Sequence, residues 1–150
     1  MTEPYEFSAT VAIKKIKEKK LSVHEWISSC LKRIKEKEPK VHAWAYLDDE
    51  NALKKAKEYD QPKYGNKIGI PFGIKDIIDA SNLPSGLGTS FYNNNIPIRD
   101  AGSVSIAKNA GCIVLGKTVS TELGHRAPGP TANPNNLEHT PGGSSSGSAA

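Results

Sequence analysis

Apolar residues recur at helical spacing along the first third of the chain and in short unbroken runs along the second half. Val11, Ile13 and Ile16 predict a short amphipathic helix. Ser22-Val23-His24-Glu25 has the spacing of a capping box, in which a serine and a glutamate three residues on satisfy each other's backbone amides. It opens a second helix whose apolar stripe is Trp26, Ile27, Cys30, Leu31 and Ile34, and Pro39 is expected to end that helix after Glu38. Residues 41–47 predict a short strand, and Asp48 or Asp49 the cap of a third helix carrying Leu53 and Ala56.

The pattern then changes. Ile68-Gly69-Ile70-Pro71-Phe72-Gly73-Ile74 is an apolar run stopped by Lys75-Asp76, as in a strand buried on both faces. Asp100 is expected to cap a helix running to Ala110 with Gly111 as its stop, and Cys112-Ile113-Val114-Leu115 reads as a second buried strand ended by Gly116-Lys117. Strand, helix and strand in that order imply a parallel pair, and so an α/β fold. All 13 glycines and seven of the ten prolines fall from Gly65 onward, which divides the chain into a helical region, 1–64, and a strand-turn-helix region, 65–150. The last residues, Gly142-Gly143-Ser144-Ser145-Ser146-Gly147-Ser148-Ala149-Ala150, move from a glycine turn into helix-compatible residues without a stop signal, so the chain is expected to continue beyond Ala150.

Composition narrows the classes. The 37% hydrophobic content fits one modest core, no apolar run reaches the ~18 residues of a membrane-spanning helix, and the N-terminus lacks the pattern of a secretion signal. The expectation is a soluble, cytoplasmic protein without membrane partners. Cys30 and Cys112 are too far apart, and too unlike any CxxC pair, to suggest a disulfide or metal staple. The net charge of +4 invites a nucleic-acid reading, but all of the excess lies before Ile68, where 15 Lys and Arg are interleaved with 11 Asp and Glu. Such mixing suits solvated helix faces, whereas nucleic-acid binding needs a one-sided basic stripe and stacking aromatics.

Candidate chemistry is sparse. His24, His42, His125 and His139 show no metal-ligand spacing and no hydrolase triad order. Gly86-Leu87-Gly88 lacks the third glycine of a dinucleotide fingerprint, and the Gly/Ser run lacks the lysine of a phosphate loop. That run reads equally as a flexible linker, an anion-binding nest or a source of hydroxyls for a nucleophilic site. Lys75, at the C-terminal end of a strand, sits where open sheets present ligand-contacting groups, although pairing with Asp76 or Asp79 at the surface is the plainer reading. Lysine and serine together form a catalytic vocabulary only if the amine is neutral and can accept a proton.

Three motifs in order resemble the amidase signature hydrolases. Gly69-Ile70-Pro71-Phe72-Gly73-Ile74-Lys75-Asp76 is similar to the lysine strand of that family, and Ala110-Gly111-Cys112-Ile113-Val114-Leu115-Gly116-Lys117-Thr118 to its next strand. Pro141 to Ala150 is similar to the start of the signature itself. Gly129-Pro130-Thr131-Ala132-Asn133-Pro134 also resembles family sequences, which often have arginine where Ala132 stands. The resemblance implies an amidase signature fold, a large mixed β-sheet core covered by α-helices, of which residues 1–150 are the N-terminal portion of a single domain.

It further implies amide hydrolysis without cofactor or metal through a Ser-cis-Ser-Lys triad. Lys75 would be the base and Ser144, after a cis peptide from Gly143, the bridging serine, with Ser145 in a supporting role. The acylated serine and the oxyanion-hole amides would lie beyond Ala150, so that the 150 residues alone are expected to be inactive. The implied partner is a small-molecule amide, with self-association into a homodimer left open. Within the family, Lys117-Thr118-Val119-Ser120-Thr121-Glu122-Leu123 lacks the Asn-Met-Asp-Glu-Phe passage common in the amidotransferases that act on misacylated tRNA, in the chain that carries the amidase fold, which favours a stand-alone amidase over that alternative. From a different class, a non-catalytic anion- or nucleic-acid-binding module would show salt-sensitive association with RNA or DNA.

Overall fold

The computed structural model describes residues 2–65 and 67–150. Among the described residues, five α-helices and three strands follow in the order α1 (Ala9–Lys17), α2 (Val23–Val41), β1 (Trp44–Leu47), α3 (Asp49–Tyr59), β2 (Pro71–Lys75), α4 (Gly102–Asn109), β3 (Ile113–Thr118) and α5 (Ser146–Ala149). The strands form one sheet in the order β1-β3-β2. Ile113 N–H donates to the Ile70 carbonyl at the start of the β2/β3 pair and Asp76 N–H to the Thr118 carbonyl at its end, so these strands run in the same direction, as the strand-helix-strand order predicts. β1 joins the other side of β3 antiparallel, with Trp44 opposite Thr118 and an irregularity between Trp44 and Tyr46. The sheet is therefore mixed, in a chain of α/β class.

The chain divides into two compact units: 1–36, 48–72 and 107–115 form the first, and 37–47, 73–106 and 116–150 the second. In the first, Ala12, Leu21 and Trp26 make an apolar cluster onto which Phe7, Ile16, Cys30 and Ile70 pack. The capping box is present as read: Glu25 N–H donates to Ser22 Oγ at 3.0 Å and Ser22 N–H to Glu25 Oε2 at 2.7 Å. Those bonds to Ser22 draw the Glu25 carboxyl below its ordinary range. Trp26, Ile27 and Leu31 of the expected stripe are buried, while Cys30 and Ile34 are half-buried. α1 buries Ala12 instead of Val11, which is exposed.

A second cap on α2 comes from a distant residue. The Asp60 carboxylate, just past the end of α3, accepts Val23 N–H at 2.7 Å and His24 N–H at 3.0 Å. Four amides at a helix start lack intrahelical partners, and two of them are satisfied here by one side chain. Asp60→Ala is expected to destabilise the protein by about 1 kcal/mol, the usual cost of a lost N-cap. Urea denaturation measures it, and an unchanged midpoint would show that water replaces the carboxylate without cost.

Several boundaries differ from the sequence reading: β2 begins at Pro71 and not at Ile68, and three others differ for local reasons. α2 continues through Pro39 to Val41, because a proline in the last turn forfeits only one helical amide. Glu38 then closes the helix, its carboxylate accepting Ala43 N–H at 3.1 Å and Trp44 N–H at 2.9 Å. His42, at φ 52°, turns the chain out of the helix, so the strand begins at Trp44 and not at residue 41. β3 does not end at Gly116 but runs on through Lys117 to Thr118. Gly111 does end α4, at φ 93°, a backbone setting that glycine adopts without steric penalty.

Charged residues of the first region pair on solvated faces, as in Lys14–Glu18, Arg33–Glu36, Lys55–Glu58 and Lys35–Asp49. Cys30 and Cys112 are free thiols, and burial pushes the Cys30 thiol up to about 11, leaving it protonated and unreactive at neutral pH. No helix among the described residues is long and apolar enough to cross a membrane.

Candidate active site

The second unit holds every candidate catalytic residue. Lys75, the last residue of β2, is half-buried, and its Nζ donates to Ser144 Oγ at 2.5 Å across 69 positions of sequence. Ser144 follows a cis Gly143–Ser144 peptide bond, at the position where the resemblance implies one. Its carbonyl accepts Thr121 N–H at 2.9 Å and Ser120 Oγ–H at 3.2 Å, so Ser144 is held by the segment that leaves β3.

The rest of the Gly/Ser run is packed against the same segment. Gly147 N–H donates to the Val119 carbonyl at 2.9 Å, Ser146 Oγ donates to the same oxygen at 3.3 Å, and Thr118 Oγ1 and Ser148 Oγ lie 2.7 Å apart. Ser146 and Gly147 are buried. Of the three readings open for this run, the flexible linker is therefore excluded. Ser145 stands at the N-terminal edge of α5, where its side chain makes no capping bond and its carbonyl accepts Ser148 and Ala149 N–H.

A cleft of about 550 Å³ opens beside Ser144, lined among others by Thr121, His125, Arg126, Thr140 and Gly143. Thr121 ties its floor to the next turn by donating from Oγ1 to the His125 carbonyl at 2.5 Å. A substrate carbonyl in this cleft would meet a hydroxyl already in contact with an amine, the arrangement that proton relay requires. Among the described residues no group of three or more His, Cys, Asp or Glu side chains is arranged to hold a metal ion.

Behind Lys75 lies a group that sequence reasoning missed. Asp76 pairs with the wholly buried Lys117, Nζ to Oδ1 3.5 Å, and not with Lys75. Lys117 also donates to Ser85 Oγ at 2.6 Å and to the Pro84 carbonyl at 3.1 Å. Burial pushes its ammonium below the ordinary lysine range, while Asp76 pulls it back up. The signal was present: Lys117 continues the alternate positions of Ile113 and Leu115, which face inward.

The chain is similar to known proteins along most of its length. Residues 25–150 match the family model described as Amidase. The A chain of the glutamyl-tRNA(Gln) amidotransferase from Agathobacter rectalis is 38% identical over 149 residues, covering 91% of this chain and 29% of that protein. Its counterpart from Lawsonia intracellularis is 36% identical over 159 aligned positions, covering the whole chain and 33% of that protein. Among solved structures, the native peptide amidase of Stenotrophomonas maltophilia superposes with a TM-score of 0.87 at 30% identity, covering 98% of this chain and 34% of that one. The chain thus spans about a third of the length of the relatives it matches. A family model over most of the chain, relatives above 30% identity and the shared fold lead to one conclusion: this chain belongs to the amidase family, the amidase signature hydrolases.

Proposed function

We propose that the protein to which this chain belongs hydrolyses a carboxamide through a serine relay, with Lys75 as base, Ser144 as bridge and the acylated serine beyond Ala150. The observation that carries the reading is the 2.5 Å contact between Lys75 Nζ and Ser144 Oγ. With the amine neutral, Lys75 takes the Ser144 proton as Ser144 takes one from the attacking serine. The serine oxygen bonds to the amide carbon. The tetrahedral intermediate then collapses, the C–N bond breaks, and the relay returns a proton to the leaving amine. Water repeats the sequence on the acyl-serine and releases the acid. Ser145 supports the lysine side of this network in the proposal, and the 150 residues alone are inactive because they lack nucleophile and oxyanion donors.

A second reading has its own support, since the relatives from Agathobacter and Lawsonia both belong to glutamyl-tRNA(Gln) amidotransferases. In that case the amide is glutamine, the leaving group is ammonia, and partner proteins are required. Hydrolysis of aliphatic, aromatic and urea-like amides and of glutamine by the full-length protein, alone and with any co-purifying partners, separates the two. Turnover of simple amides by the protein alone supports the first; glutamine turnover that needs partners supports the second. No turnover in either setting would overturn amide hydrolysis and leave ancestry only.

A further inference from the structure

We propose that the buried Asp76–Lys117 pair is a positioning device that fixes the register of β2, keeping Lys75 turned toward Ser144. Its kinetic consequence rests on the amidase reading above. Lys75 ends β2 and Asp76 directly follows it, its N–H still paired to the Thr118 carbonyl, so the two side chains leave the chain in different directions, each to a partner of its own: Lys75 meets Ser144, and Asp76 meets Lys117. A slip of one residue would exchange them. Lys75 would then face Lys117 in place of Ser144, and Asp76 would be moved away from its buried partner.

The contacts of the pair are complete, which is what a specifying polar group requires. An ammonium has three donors, and Lys117 aims them at Asp76 Oδ1, Ser85 Oγ and the Pro84 carbonyl. The carboxylate in turn accepts Gly86 N–H at 3.2 Å and Gly88 N–H at 3.5 Å. Asp76 N–H donates to the Thr118 carbonyl at 2.9 Å. One residue after Lys75, the end of β2, the end of β3 and the 84–88 turn are joined through two side chains. Apolar residues of similar size would stabilise such a site as well as an ion pair does, so the value of the pair lies in excluding alternatives.

The test compares the full-length protein with Asp76→Asn, Lys117→Met and the double variant Asp76→Leu/Lys117→Met. Each single change strands one buried polar group and can prevent folding. The double change removes both and is expected to melt near the wild-type temperature. In it kcat should fall by about 10²-fold, the usual cost of an ångström of misplacement, with KM little changed. Lys75 should also be acylated faster by an amine reagent, read by mass spectrometry, because it no longer sits against Ser144. A folded double variant with wild-type kcat and wild-type Lys75 labelling overturns the proposal. Should the wild type hydrolyse no amide, that failure belongs to the amidase reading, and the labelling rate still decides the register lock.

Discussion

Alanine in place of Lys75 or of Ser144 is expected to lower kcat for amide hydrolysis by the full-length protein about 10²–10⁴-fold, the contribution of a positioned acid-base group. The two changes together should cost no more than the worse of them alone, because a relay broken at one link gains nothing from the other. This non-additivity separates a relay from two independent contacts, whose losses would multiply. Both side chains are half-buried, and neither belongs to the apolar cores, so folding should survive either change. Steady-state kinetics on one amide, with thermal melts as control, measures all of this. If the Gly/Ser loop were only an anion-binding surface, no hydrolysis would be present to lose.

How much of this could be read beforehand follows from how far apart the deciding residues lie. The capping box of α2 was legible because its two bonds link Ser22 and Glu25, three positions apart. The parallel pairing of β2 with β3 was legible from the order of elements. The second cap on α2 was not, since Asp60 lies 37 positions from Val23 and nothing nearby in sequence marks it. Lys117 is an intermediate case: it continues the inward alternation of Ile113 and Leu115, but a lysine closing an apolar run reads as the point where a strand meets solvent until Ser85 and Asp76 are brought against it. The pairing of Lys75 with Ser144 was anticipated through the family motifs, because 69 intervening positions carry no periodic trace of that contact.

Gly147 gives the largest expected loss of stability in the site and ties the signature motif to packing. A Cβ at this residue would lie 2.0 Å from the Ala43 carbonyl oxygen and 2.5 Å from Val119 N. Those two atoms are themselves hydrogen-bonded at 2.9 Å, and Gly147 N–H donates to the Val119 carbonyl, also at 2.9 Å. The obstacle is therefore backbone already committed to the sheet, with no flexible side chain to move aside. Gly147→Ala is expected to cost about 3 kcal/mol or more, combining the ~1–3 kcal/mol of overpacking with the ~1 kcal/mol of a lost hydrogen bond. Gly102→Ala is the control: nothing lies within 4 Å of its Cβ position, and in α4 alanine should be neutral or stabilising by up to ~1 kcal/mol. Urea denaturation of both variants measures the difference, and equal midpoints would show that the α5 segment is not held against Ala43 and Val119. Activity should fall with stability in Gly147→Ala alone, because Ser144 stands three residues upstream on the same packed turn. In that turn the small residues of the motif serve two purposes: serine supplies the hydroxyl, and glycine lets the backbone approach closely enough to fix it against Lys75.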